Sequence, residues 1–392
     1  MVYDKKLLVR QFTLQAITTR PPLVIAALGT LTIVAFLGVT RMVNRFTEEQ
    51  KAVARHLYAQ GLTEQQSGKA DLAIEHYRAA LSYAHDNFDY QLQLARALRD
   101  TGRTEEAEAY LVNLWERSPQ SGVINLALGR LAARENSLDK VLQYYHNAIY
   151  GVWATPNPDE SRLSAWFELV DTLLRKNARS QAQAELISLS AELRNRPDLE
   201  LRIADLFGRA GDYEHGLGEY QRVLAQEPEN TSALAGAGQD AFHLGRYRDA
   251  AHYLQRAVKA NPEDSQSAQL LDLSNMIFES DPFIRRLSSS ERLRRVKAAF
   301  EQAGSHLDDC ARTKNLDLKS AESSGSPLAA LESHWLELKP KVTRLRTPDS
   351  DLENSAMDLV FQIEQEAERE CGSPVGLDEA LLLLAQNPGV EF

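Results

Sequence analysis

Gly68, Gly102, Asn136, Asn177, Gly211 and Gly245 recur along this chain at steps of 34, 34, 41, 34 and 34 residues. Five residues after each stands a small or β-branched residue: Ala73, Ala107, Val141, Ala182, Gly216 and Ala250. A period of this length marks stacked helix–turn–helix units, none of which can bury its apolar face alone. It predicts an all-α fold in which neighbouring units, not one central core, supply the burial. Such a stack presents a surface, so the pattern predicts a binding scaffold and not an enzyme.

Laid out at this period, the units are 54–87, 88–121, 122–155, 163–196, 197–230 and 231–264. Small residues at Gly61, Ala95, Gly129, Ala204 and Gly238 let the two helices of a unit approach closely. Tyr77, Leu111, Tyr145, Leu186, Tyr220 and Leu254 fill the gap toward the next unit. The Gly or Asn between the helices suits the left-handed backbone that ends a helix. Pro119, Pro228 and Pro262 stop the second helix, which a proline cannot continue.

Three units carry a family likeness. The sixth has Leu234, Ala237, Gly238, Ala241, Gly245, Tyr247, Ala250, Leu254, Ala257 and Pro262. The second has Leu94, Ala95, Leu98, Gly102, Ala107 and Pro119, and the first Gly61, Gly68, Ala73, Tyr77 and Ala80. These positions resemble the tetratricopeptide repeat family, in its membrane-anchored bacterial form. The resemblance implies an α-solenoid superhelix over residues 47–280, closed by a capping helix at 265–280, that binds other proteins. Pro156 to Arg162 (PNPDESR) interrupts the array and reads as an exposed loop.

In that family the second, fifth, ninth, twelfth and thirteenth residues of a unit face a concave groove. Here they include Arg96, Arg99, Arg130, Arg134, Arg175 and Arg209, against Asp100, Asp171 and Asp205. Tyr58, Leu62, Leu92, Leu126, Phe167, Leu201 and Phe242 add apolar contacts. Arginine forks recognise carboxylates, so the expected ligand is an acidic or C-terminal peptide segment. The alternative is that these arginines pair with acids of neighbouring repeats.

Leu23 to Val39 is an uncharged apolar run, and residues 23–40 approach the ~20 needed to cross a bilayer. The run exceeds a signal peptide's apolar stretch, and Gly38-Val39-Thr40 before Arg41 is a poor cleavage site. A single-pass transmembrane helix is therefore expected. Cations flank it almost evenly: Lys5, Lys6, Arg10 and Arg20 before, Arg41, Arg45, Lys51 and Arg55 after. A short tail and a large body then predict tail 1–22 in the cytoplasm, with Lys5 to Arg20 along the inner membrane surface. The body would be periplasmic or otherwise extracytoplasmic, a subunit or assembly factor of a membrane or envelope complex. A cytoplasm-facing signalling adaptor is the alternative.

After Asp281-Pro282-Phe283 the period ends, and residues 281–392 read as a small helical domain. Its helices cover Leu293–Cys310, Leu328–Leu338, a segment from near Asp351 to Cys371, and Leu377–Ala385 before Pro388. Lys314–Ser326 reads as a loop, and the glutamates from Glu364 to Glu370 as a solvated face. Cys310 and Cys371, the two cysteines of the chain, end two apolar faces. Parallel helices would bring them together for a disulfide in an oxidising compartment; two buried thiols are the other reading. Arg285, Arg286, Arg292, Arg294, Arg295 and Lys297 crowd the start of the first of these helices and need compensating charge.

The net charge is −11, and residues 1–46 carry +5, which leaves the body strongly acidic. An acidic body argues against nucleic acid, whose phosphates require a basic surface. Gly236 to Ala241 fits G-x-G-x-x-A, but no strand precedes it, so packing explains its glycines. The nine histidines form no H-E-x-x-H, and no Cys-x-x-Cys, G-x-S-x-G or Walker-type loop is present. No cofactor, metal ligand or catalytic residue is expected; the remaining rival is an unfamiliar enzyme in the C-terminal helices.

Overall fold

The computed structural model describes residues 21–193, 196–316, 318 and 326–386. The tail through Arg20, most of the expected Lys314–Ser326 loop, and Pro388 lie outside the described residues. Among the described residues all regular structure is helical, apart from one isolated parallel bridge between Ser121 and Val152. Two compact units, residues 1–169 and 170–392, divide the chain.

The first unit contains α1 (Pro21–Gln66), α2 (Ala70–Tyr83), α3 (Phe88–Asp100), α4 (Thr104–Arg117), α5 (Gly122–Arg134) and α6 (Leu138–Ile149). The division falls inside α7 (Pro158–Arg175). The second unit continues with α8 (Arg179–Glu192), α9 (Pro197–Ala210), α10 (Tyr213–Gln226), α11 (Thr231–His243), α12 (Tyr247–Ala260) and α13 (Ser265–Ser280). It ends with α14 (Ser289–Thr313), α15 (Pro327–Arg344), α16 (Ser350–Cys371) and α17 (Leu377–Gln386).

Helix α1 is continuous through the apolar run and into the first repeat. Ile25, Leu28, Leu31, Val34 and Phe36 are each at least 57% exposed, and the apolar window, of mean hydropathy 1.8, is 0% buried. This is not a core helix. Its threonines return their hydroxyls to the helix backbone: Thr30 to the Ala27 carbonyl, Thr32 to Gly29 and Thr40 to Phe36, at 2.7–2.9 Å. They are thus satisfied without water. Farther on, Ala54 is buried, and Leu57, Tyr58 and Leu62 pack on the core of the first unit.

Turns between paired helices share one geometry. Gly68, Gly102, Asn136, Asn177, Gly211 and Gly245 have φ of 76°, 82°, 60°, 55°, 77° and 72°. The next amide reaches back to close the helix end, as in Lys69 to the Glu64 carbonyl and Arg103 to Leu98, both 2.9 Å. Close packing explains a second set of glycines. A Cβ on Gly61 would lie 2.5 Å from the Tyr77 ring, and one on Gly129 would lie 2.7 Å from Tyr145. Gly236 and Gly238 lie inside α11 against Tyr220 and Leu254, as packing required.

The expected Pro156–Arg162 loop is mostly helix, because α7 starts at Pro158. Proline fits the first turn of a helix, and Asp159 and Glu160 favour its positive end. Just before it, the Val152 amide donates to the Gln120 carbonyl (2.7 Å), and the Val152 carbonyl accepts from Gly122 (2.9 Å).

In the C-terminal helices, α14 and α16 run parallel. Arg292 pairs with Glu353 (2.8 Å) near their starts, His306 meets Glu364 midway, and Cys310 and Cys371 close the far ends. The two cysteine Cα atoms are 5.8 Å apart, with the sulfurs at bonding distance. The core here includes Phe300, Trp335, Met357 and Val360 and takes in Ile277 of α13 and Tyr247 of α12. Helix α15 passes its expected end at Leu338 and runs through Pro340 to Arg344. Burial of Val342 rewards the extra turn, and the Lys297 ammonium donates to the Thr343 and Leu345 carbonyls at 3.0 and 2.6 Å.

Glutamates of the expected solvated face on α16 are partly buried: Glu364 is 0% and Glu366 9% exposed. Glu364 lies four residues after Val360 and three before Ala367, so it shares their inward face. Arg292, Arg294, Arg295 and Lys297 at the start of α14 are met from within the chain. Arg294 and Arg295 pair with Glu291 at 2.6 and 2.9 Å, which pulls that carboxyl down to about 2. Arg295 also donates to the Phe278 carbonyl (2.7 Å).

Candidate functional site

Arginines of the first unit gather on α3 and α5. Arg96 and Arg99 lie three residues apart on α3, and Arg130 and Arg134 four apart on α5, each pair about one helical turn. Arg130 grips Glu168 with both arms, at 2.7 and 2.6 Å, and the Tyr145 hydroxyl donates to the same carboxylate at 2.8 Å. Burial opposes ionisation of Glu168, yet Arg130 and Tyr145 hold its carboxyl below the usual range. The Glu168 hydrogen bond raises Arg130 in turn.

The other three arginines are less well matched. Arg99 spends two nitrogens on one oxygen of Asp100 (2.9 and 2.7 Å), and its buried Nη1 has no partner. The buried Nε of Arg96 also lacks a partner. Burial, then the charges of Arg130 and Arg99, push the Arg96 pKa down. Arg134 donates to the Arg99 carbonyl. Tyr58 stands beside them, stacked on Tyr90 with ring centres 4.5 Å apart. This wall therefore holds four guanidiniums against Asp100 and Glu168, with two buried nitrogens lacking a hydrogen-bond partner.

The remaining expected groove residues behave differently. Phe167 is 2% exposed, Leu92 4% and Leu126 8%, so they are core residues that offer little to a ligand. In the second unit, Arg209 pairs with Asp171 (3.4 Å) and Asp205 (3.9 Å), and Arg175 donates to the Thr172 hydroxyl (2.9 Å). Phe242 is half-buried, edge-on to Tyr247 at 5.3 Å. Internal pairing thus accounts for Arg130 and Arg209, and leaves Arg96 and Arg99 short of acceptors.

Two groups of the second unit carry no short-range sequence signal. Asp240 is 4% exposed in α11, with Oδ2 unpartnered, and Gly208 and Gly216 make room for its carboxyl. Burial, then Asp205 and Asp212, push it up to about 7. His306, Glu364 and Asp378 converge from α14, α16 and α17, each offering a donor atom within 4.8 Å of the others. The one hint was an acidic residue on the apolar stripe of α16.

Stacked helix hairpins of this kind form a scaffold for protein–protein interaction. Residues 64–131 and 201–265 each match a model of the tetratricopeptide repeat. Tetratricopeptide repeat protein 9C of Xenopus tropicalis is 27% identical over 147 residues, 38% of this chain and 78% of that relative. YrrB, a solved repeat protein with an unusual peptide-binding site, is 14% identical over 49% of this chain and 95% of its own, with a TM-score of 0.35. The type IV pilus biogenesis factor PilW is 18% identical over 55% and 97%, with a TM-score of 0.37.

Proposed function

We propose that this protein is a single-pass membrane-anchored scaffold that holds an acidic or C-terminal peptide segment of a partner against the Arg96–Arg99 wall. The observation that carries this reading is the pair of buried guanidinium nitrogens without acceptors. Buried donors are normally satisfied, and a carboxylate docked beside these guanidiniums would offset the repulsion among Arg96, Arg99 and Arg130. The exposed apolar stretch of α1 supports a bilayer span over residues 23–40. The paired Cys310 and Cys371 support an extracytoplasmic body, since thiols stay reduced in the cytoplasm. A subunit or assembly factor of an envelope complex fits these features.

The test is binding of a fluorescent peptide with an acidic C-terminus to the full chain in detergent, beside the same peptide amidated and with its acids changed to amides. The free acid should bind better, and Arg96→Ala with Arg99→Ala should weaken it at least about tenfold. Arg209→Ala should leave it unchanged. Equal binding of acid and amide peptides, or indifference to the double variant, would remove the wall from the function.

A further inference from the structure

The His306 Nδ1 atom lies 2.7 Å from Glu364 Oε2, and Asp378 approaches from the first turn of α17. The three donors come from three helices, and His306 and Glu364 are 58 residues apart in sequence. Glu364 is fully buried, and its second oxygen, Oε1, has no hydrogen-bond partner. A proton on His306 occupies one oxygen of Glu364 and leaves the other unanswered. Asp378 is held in place by Gln302, whose Nε2 donates to its Oδ1 at 2.8 Å. One imidazole, two carboxylates and an amide orienting one of them form a ligand set with an outer shell.

We propose that His306, Glu364 and Asp378 bind a divalent transition-metal ion, zinc being the one that fits, and that the ion ties α17 to α14 and α16. One nitrogen and two oxygens suit zinc better than magnesium or calcium, which prefer all-oxygen shells. Donors around a tetrahedral zinc ion sit roughly 3.3 Å apart, so His306 and Glu364 need to part by roughly 0.6 Å. Water completes the shell on the side where His306 keeps slight exposure. The ion replaces the shared proton and answers the free oxygen of Glu364. It lies close to the cysteine pair, for Cys310 follows His306 by one turn of α14. With the sulfurs joined, they do not compete for metal.

The experiment uses the full chain in detergent, kept oxidised and freed of metal by chelation, with zinc titrated by calorimetry and cobalt as a visible-absorption probe. One equivalent should bind, with cobalt bands of a low-coordinate nitrogen–oxygen site and a rise in Tm. His306→Ala and Asp378→Asn should each weaken binding at least about tenfold, and Gln302→Ala roughly 10–100-fold. Asp378→Asn keeps the size of a partly exposed side chain, and circular dichroism confirms that each variant folds. No saturable binding by the wild-type chain, or equal binding by folded His306→Ala and Asp378→Asn, would overturn the proposal.

Discussion

Asp240 is the residue whose chemistry most departs from its type. Its carboxyl is pushed up to about 7 by burial and by Asp205 and Asp212, whereas unfolded aspartate titrates near 3.9. Below pH 4 both states hold the proton, and its contribution to stability is fully present. As pH rises toward 7, the unfolded chain ionises first, so the folded state loses stability, by on the order of a few kcal/mol. Above 7 the loss levels off. Asp240→Asn should therefore raise stability to urea at pH 8, with an advantage that shrinks as pH falls toward 4. An equal effect at both pH values would show that Asp240 is not the titrating group. No local pattern marks this residue, since its burial depends on Gly208 and Gly216, which lie on α9 and α10.

Among the helices, close approach outweighs helix propensity. Gly129 sits inside α5, where alanine is intrinsically favoured by roughly 0.8–1 kcal/mol. A Cβ there would press on the Tyr145 ring, and that ring is buried and donates its hydroxyl to Glu168. Gly129→Ala should thus destabilise the chain by about 1–3 kcal/mol in urea unfolding. Stabilisation instead would mean that α5 and α6 have slack. This part of the fold was legible beforehand, because the period placed Gly129 and Tyr145 at positions equivalent to Gly61 and Tyr77. The extent of α15 was not legible: a proline looks like a stop unless the burial beyond it is known.

For the whole molecule, anchor and sulfur chemistry meet in one observable. If the body lies outside the cytoplasm, Cys310 and Cys371 are joined there. In right-side-out membrane vesicles, a membrane-impermeant maleimide should label them only after reductant is added. Labelling that needs permeabilisation but no reductant would place the body in the cytoplasm and support the adaptor reading.

The repeat positions, turn glycines and asparagines and the apolar run could be read from the chain because each rests on neighbouring residues. Backbone dihedrals, helix registers and bilayer-length apolarity are local properties. Folding added the facts that depend on distance along the chain. It paired Arg130 with Glu168 while leaving Arg96 and Arg99 short of acceptors, set α14 parallel to α16, and drew Glu364 inward to His306. Those outcomes follow from which helix packs on which, and side-chain type alone does not encode that.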